Sequence, residues 1–424
     1  MRLAHFVQRY PPALGGSEAF FARLSRYLAA QQHRVSVYTS NALALEAFWS
    51  PRGTCLPAGI TEENCVEVRR YPLWRLRGRR FLLKPLSLLP HRRWQCLTLP
   101  CNPISFSMWA DAGKSDPPFD LVHATAFPYA FPIICAQRLA WQLDVPFLVT
   151  PFLHLGDPED SHDKTRHAYT TPALLSLLRT ADRVFVQTEL ERTALLDLGL
   201  LEKRLVLLGM GVDLDECQGG DRARARGEWG VAAEEVVIGH LANNSVEKGT
   251  VDLLRAAQML WEAGAPFTIV LAGPEMSNFR RFWQDFSPRG TVVKLGVLDE
   301  RQKRDFFAAL DLFALPSRSD SFGLVLLEAW ANGVPCVGYR AGGIAEVIRH
   351  QEDGWLVRCG NVGNLAEALR RLIEQPSERR RLGQSGRERL PREFHWPDKL
   401  RRVEEVYRDA VEEKKGPRAA ARGL

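Results

Sequence analysis

The eight cysteines (Cys55, Cys65, Cys96, Cys101, Cys135, Cys217, Cys336 and Cys359) form no CxxC pair and no Cys/His cluster at zinc spacing. This excludes a zinc module and a dithiol redox motif, and free thiols in a reducing compartment are expected. No apolar run is long enough to span a bilayer, and the opening MRLAHFVQRYPP has no basic segment followed by an apolar one. A cytoplasmic protein is expected on that basis. A short-period repeat is also missing, which excludes solenoids and propellers. The charge excess is small: 56 Lys and Arg against 50 Asp and Glu leave +6 over 424 residues. That is too little to mark a nucleic-acid binder, and no nucleic-acid partner is expected.

What remains is ordinary globular composition, 46% hydrophobic and 25% charged, on a chain long enough for two cores. The opening reads as strand (Arg2 to Gln8), a loop with Gly15 and Gly16, helix, then strand (Arg34 to Thr39), a βαβ unit. Short β-branched or aromatic runs continue at FDLVHAT, VPFLVT, RVFVQT and RLVLLG, with helical spacing at Thr171 to Thr180 and Glu189 to Leu198. The Gly- and charge-rich stretch Gln218 to Glu235 suits a boundary. Beyond it a second alternating series begins: EVVIGHL, FTIVLAG, TVVKLG, LFALPS, VPCVGYR and GWLV. The expected layout is a domain over 1–217, a second over 218–392, a helix over 393–412 packing back on the body, and a disordered tail over 413–424.

The segment Leu315 to Ile348, LPSRSDSFGLVLLEAWANGVPCVGYRAGGIAEVI, joins a strand end, a loop, a helix and another strand. Asp320 sits in the loop, Phe322-Gly323 precedes the helix and Glu328 falls in its first turns. Free backbone N–H groups at a helix start favour phosphate. Carboxylate oxygens accept from sugar hydroxyls. In isolation such an Asp and Glu would more often be a helix cap and a solvated residue.

In context, the spacing Asp320, seven residues, Glu328, with Phe322-Gly323 and Gly333-Val334-Pro335, resembles the signature of the retaining GT-B glycosyltransferases. That family includes sucrose synthases and bacterial mannosyl- and glucosyltransferases. GGSE, VFVQTELE, GVD at 211–213 and KG at 248–249 extend the resemblance over nearly the whole chain. It implies an α/β fold of two Rossmann-like parallel-sheet domains with an interdomain cleft, the first on the acceptor side and the second binding the nucleotide sugar. It further implies that Glu328 holds the ribose and Asp320 faces the donor sugar. The diphosphate would meet the backbone of Phe322, Gly323, Leu324 and Val325, with Lys248 compensating the leaving charge. Gly15 and Gly16 match a loop lining the cleft, His154 matches a histidine near the donor sugar, and Glu346 lies in a Gly-Gly-x-x-Glu turn. Arg318 is left between phosphate contact and solvation.

Two departures from the family pattern stand out. The first acid is Asp rather than Glu, one methylene shorter. The arginine that precedes the family's lysine is absent, and Asn243 and Asn244 stand in its place, offering hydrogen bonds without charge. Asp213 and Asp215 form a DLD that resembles a metal triplet of a different glycosyltransferase fold; we read it as coincidental, and no cofactor or obligatory metal is expected.

From Val68 to Ala110 there is no acid. Nine cations fall inside (Arg69, Arg70, Arg75, Arg77, Arg79, Arg80, Lys84, Arg92 and Arg93), interleaved with Trp74, Phe81, Trp94 and leucines. This basic, apolar insertion over 68–110 suits an anionic membrane surface. The resulting expectation is retaining transfer of a hexose from a nucleoside-diphosphate sugar to a hydroxyl of a glycan or lipid-linked acceptor, in envelope or exopolysaccharide synthesis. A sugar-nucleotide epimerase and a non-catalytic membrane-binding member are the alternatives.

Overall fold

The computed structural model describes residues 1–114 and 118–422, with side chains described to 415. The chain divides into two compact units. Unit 1 holds residues 1–153, 167–208 and those from Leu400 on; unit 2 holds 154–166 and 209–399.

Unit 1 is built on an eight-stranded sheet of β1 (Arg2–Val7), β2 (Arg34–Ser40), β3 (Gly59–Glu63), β4 (Val66–Tyr71), β5 (Leu121–Ala124), β6 (Phe147–Val149), β7 (Arg183–Val186) and β8 (Leu205–Leu207). The spatial order is β3-β4-β2-β1-β5-β6-β7-β8. Every pairing is parallel except β3 with β4. The helix Gly16–Ala30 buries Phe20, Leu24 and Leu28, the face that its spacing predicts, together with Phe21, while Tyr27, expected on the same face, is half-buried. Unit 2 carries a six-stranded parallel sheet ordered β11-β10-β9-β12-β13-β14. Its strands are β9 (Val236–Leu241), β10 (Phe267–Ala272), β11 (Thr291–Gly296), β12 (Leu312–Leu315), β13 (Cys336–Tyr339) and β14 (Gly354–Val357). The near-continuous apolar runs of β9, β10, β12 and β13 are those of strands covered on both faces, whereas β11 at the edge is half-exposed.

The stretch read as a boundary over 218–235 is structured. Asp221 caps the helix Arg222–Trp229, and Arg224 pairs with Asp305 at 2.6 Å. The change of unit falls earlier, at Leu208/Gly209, because Val212 N–H donates to Phe394 C=O at 2.8 Å. The last helix, Trp396–Arg422, buries Leu400, Val403 and Val406 as its spacing predicts. Residues 413–422, expected to be disordered, continue this helix; 423 and 424 lie outside the described residues. The charged EEKK run adds a favourable helical segment to an element already docked.

Three of the nine cations in 68–110 do not present themselves to a surface. Arg70 is buried against Glu63 at 2.7 Å, and Arg69 lies 2.6 Å from Glu67. Arg79 is 2% exposed and donates to the carbonyls of Trp74, Phe48 and Asn102. No helix among the described residues is long and apolar enough to cross a membrane. All eight cysteines are free.

Candidate functional site

In unit 2, two loops that follow parallel strands carry the predicted residues, at the carboxyl ends where open α/β sheets bind ligands. After β9 the chain turns through Asn243 to Gly249 into the helix Thr250–Glu262. Gly249 adopts φ 74°, and a Cβ there would lie 1.8 Å from the Pro316 carbonyl oxygen. Only glycine lets this loop lie against the loop after β12. Ser245 Oγ accepts from the Lys248 backbone N–H at 3.1 Å, and Thr250 Oγ1 accepts from the Ser245 N–H at 3.1 Å. Thr250 is itself held 2.9 Å from buried His240.

The Lys248 ammonium sits 2.7 Å from Asp320 Oδ2 and 3.4 Å from the Ser319 carbonyl. Two of its three donors are thereby used. Burial alone would raise Asp320, but Lys248, His154 and the Phe322 backbone N–H hold it below the ordinary carboxylate value. His154 belongs to the same unit. Burial, with Lys248 adding to it, pushes its ring down to about 4, against the opposing pull of Asp320 and a Ser319 backbone hydrogen bond. The imidazole is therefore neutral at neutral pH.

Gly342 and Gly343 hold these pieces together. Gly343 N–H donates to the Asp320 carbonyl at 2.7 Å and Gly342 N–H to the Gly156 carbonyl at 2.8 Å. A Cβ on Gly343 would stand 2.2 Å from the Ser321 oxygen. The His154 segment and the Asp320 loop are thus tied through one glycine pair. Glu159 and Arg358, 3.0 Å apart, tie that segment's outer end.

Phe322 is buried with its ring edge-on to Phe394. Gly323, at φ 90°, opens the helix Leu324–Ala331 with no side-chain cap. A helix start without a side-chain acceptor keeps its N–H groups for an anion. Glu328, one turn further, places Oε1 2.9 Å from Lys303 Nζ. Its Oε2 is buried and has no hydrogen-bond partner among the described residues.

The structure brings Lys248, Asp320, His154, Phe322 and Gly323 together, with Glu328 on the helix that follows. Gly15 and Gly16 stand in unit 1, exposed at the start of the helix Gly16–Ala30. Asn243 is exposed, whereas Asn244 is buried and donates to the Gly273 carbonyl at 3.1 Å. Neither replaces a cation. Arg318 donates to buried Asp252, and Tyr339 OH lies 3.1 Å from the same carboxylate. Glu346 is exposed. Asp213 accepts from the Asp215 N–H at 3.1 Å as the cap of a short helix. Sequence reasoning missed Lys303 and Ser245. Ser245 lies three residues before Lys248, the spacing of a turn bond, and was legible; Lys303 comes from a distant helix and carries no local signal.

Two Rossmann-like parallel-sheet domains, the second with a lysine–carboxylate pair beside an uncapped helix start, define the GT-B class. Residues 221–389 match the model of the glycosyl transferases group 1, and residues 15–211 that of the glycosyl transferase 4-like domain. The chain is thus similar along its first half to a glycosyl transferase 4-like domain and along its second to the group 1 glycosyltransferases, on a GT-B fold.

Among curated relatives it is 32% identical over 196 residues to N-acetyl-alpha-D-glucosaminyl L-malate synthase of Bacillus anthracis, covering 46% of this chain and 51% of that one. It is 31% identical over 246 residues to D-inositol 3-phosphate glycosyltransferase of Saccharomonospora viridis, covering 54% and 56%. The matches thus span about half the length of these relatives. Among solved structures it is similar in fold to sucrose-phosphate synthase from Thermosynechococcus elongatus, with TM-score 0.72, 21% identity, and 96% and 98% of the two chains covered. It is also similar to Anabaena HepE in complex with UDP-glucose, with TM-score 0.70, 18% identity, and 96% and 100% covered.

Proposed function

We propose that the protein transfers a hexose, with retention, from a nucleoside-diphosphate sugar to a hydroxyl of a glycan or lipid-linked acceptor in envelope or exopolysaccharide synthesis. The observation that carries this reading is the Lys248 ammonium, 2.7 Å from Asp320, beside a helix start that no side chain caps. The third Lys248 donor and the N–H groups of Leu324 and Val325 suit the diphosphate, whose charge grows as it leaves. Asp320, ionised and engaged by Lys248, accepts from hydroxyls of the donor sugar and positions it. Glu328 takes the ribose through Oε2. Neutral His154 donates to or accepts from the sugar without placing a charge beside Lys248.

In the reaction the bond from the anomeric carbon to the diphosphate oxygen breaks and a bond to the acceptor oxygen forms on the same face. The acceptor's proton leaves on the diphosphate. No metal enters this scheme, since Lys248 and the helix start supply the positive potential. That the curated relatives carry glycosyltransferase and synthase names supports group transfer over epimerisation.

The segment 68–110 supports an acceptor at an anionic membrane surface. Arg77, Arg80, Lys84, Arg92 and Arg93 are exposed, together with Phe81 (81%), Leu88 (75%) and Trp94 (41%). Each such cation near an anionic surface contributes about 1 kcal/mol. The test of stereochemistry is the anomeric NMR coupling of the product formed from UDP-, GDP- or ADP-sugars. The donor's configuration is expected to persist; an inverted product would overturn retention.

A further inference from the structure

The second carboxylate of the site has a cation of its own, from an element outside the signature segment. Lys303 lies on the helix Glu300–Ala309, which a capping box between Asp299 and Gln302 starts and which buries Phe306 and Phe307. Its side chain and that of Glu328 are 25% and 17% exposed. Burial alone would lower Lys303, but Glu328, with Glu300, holds it above its ordinary value.

The pair uses one Glu328 oxygen and leaves the other buried and, among the described residues, without a partner. The Asn332 amide, one helical turn on, donates to the Glu328 main-chain carbonyl at 3.0 Å. An unpaired buried acceptor carries a desolvation cost that a hydroxyl donor would relieve. In a planar carboxylate, fixing one oxygen fixes the lone-pair directions of the other.

We infer that Lys303 is a positioning residue: it orients Glu328 so that Oε2 meets the vicinal hydroxyls of the nucleoside ribose, and so sets the preference for ribo- over 2′-deoxynucleotides. The inference rests on the donor-site reading above and extends it to a residue that does not itself touch the nucleotide.

Calorimetric titration of the full chain with UDP, GDP and ADP, each against its 2′-deoxy form, tests it in wild type, Lys303→Met, Lys303→Arg, Glu328→Gln and the double variant. Wild type is expected to favour the ribo form of its nucleotide by about tenfold or more, as a hydrogen bond to a charged group allows. Lys303→Met is expected to bring that ratio close to one, Lys303→Arg to restore most of it, and the double variant to match Glu328→Gln alone. The double variant also removes the unpaired carboxylate that Lys303→Met leaves behind, so a folding defect in the single variant does not hide the answer. If the ratio falls in Glu328→Gln and stays at the wild-type value in Lys303→Met, the inference is wrong and the donor site stands. If wild type binds none of the three nucleotides, the donor-site reading fails and takes the inference with it.

Discussion

His154 shows how much one residue's surroundings decide. Its ring is held at about 4 by burial and by Lys248, so it remains neutral well below the ordinary value of 6.5. Turnover is therefore expected to stay flat from pH 8 to about 5.5 and to fall only as the pH nears 4. An acid limb centred near 6.5 in kcat/KM would contradict this. In Lys248→Met the ring is expected to titrate higher, partway back to its ordinary value since burial persists, and NMR of the ring protons checks it. Asp320, Phe322, Gly323 and Glu328 were legible because they share one loop-helix segment whose spacing is set by local geometry. Asn243 illustrates the limit. Sequence cannot say which of two adjacent asparagines points outward, and here Asn244 is the buried one. Lys303 was illegible for a related reason: helix packing places it, and no motif within its own helix marks it.

At the scale of elements, the insertion 68–110 divides its labour. Arg79 is structural, tying three backbone carbonyls together, while the side chains of Phe81, Leu88 and Trp94 lie exposed. Each apolar side chain of that size is worth about 1.5–3 kcal/mol if fully buried. The triple change Phe81→Ser, Leu88→Ser and Trp94→Ser is expected to leave the melting temperature and nucleotide affinity unchanged and to reduce sedimentation with phosphatidylglycerol vesicles more than tenfold. Equal sedimentation of variant and wild type would remove the membrane reading. Arg79→Met, in contrast, is expected to lower the melting temperature, because it leaves buried carbonyls unpaired. The alternation of apolar runs with helical spacing made the strands legible. Charge counting alone could not separate Arg69, Arg70 and Arg79 from the exposed cations, since Arg70 finds its carboxylate on the neighbouring strand and Arg79 finds carbonyls as distant in sequence as Phe48 and Asn102.

Across the whole molecule, the last helix is fastened to unit 1 by a buried polar cluster. Tyr407 OH lies 2.6 Å from His123 Nδ1 and 3.2 Å from His5 Nε2, and Ser25 and Thr150 complete the set at 2.8 Å each. Burial pushes His5 down to about 3 from 6.5 and His123 well below 6.5. The unfolded chain therefore binds more protons than the folded one between pH 6.5 and 3, so stability is full above 6.5 and is lost as the pH falls through that window. The loss is at most about 1.4 kcal/mol per pH unit for each ring. Urea unfolding midpoints at pH 7.5 and 5 are expected to differ accordingly, and equal midpoints would contradict the buried neutral cluster. The two-domain layout and the terminal helix were legible from periodicity. The position of the division was not, because Gly209 to Gln218 is held by residues far along the chain: the Phe394 carbonyl takes the Val212 N–H, and Asn332 donates to the Cys217 carbonyl.

In the proposed function, Lys248, Asp320 and Glu328 together serve a nucleotide-sugar donor. Nucleotide release from a panel of UDP-, GDP- and ADP-sugars, with and without lipid-linked acceptor, tests it most directly in wild type, Glu328→Ala and Lys248→Ala. Release from one donor, raised by acceptor and reduced at least a hundredfold by Lys248→Ala, is the expected result, a loss of about 2.7 kcal/mol in transition-state stabilisation. Release that both variants retain at the wild-type rate, or no release from any donor, would contradict the account.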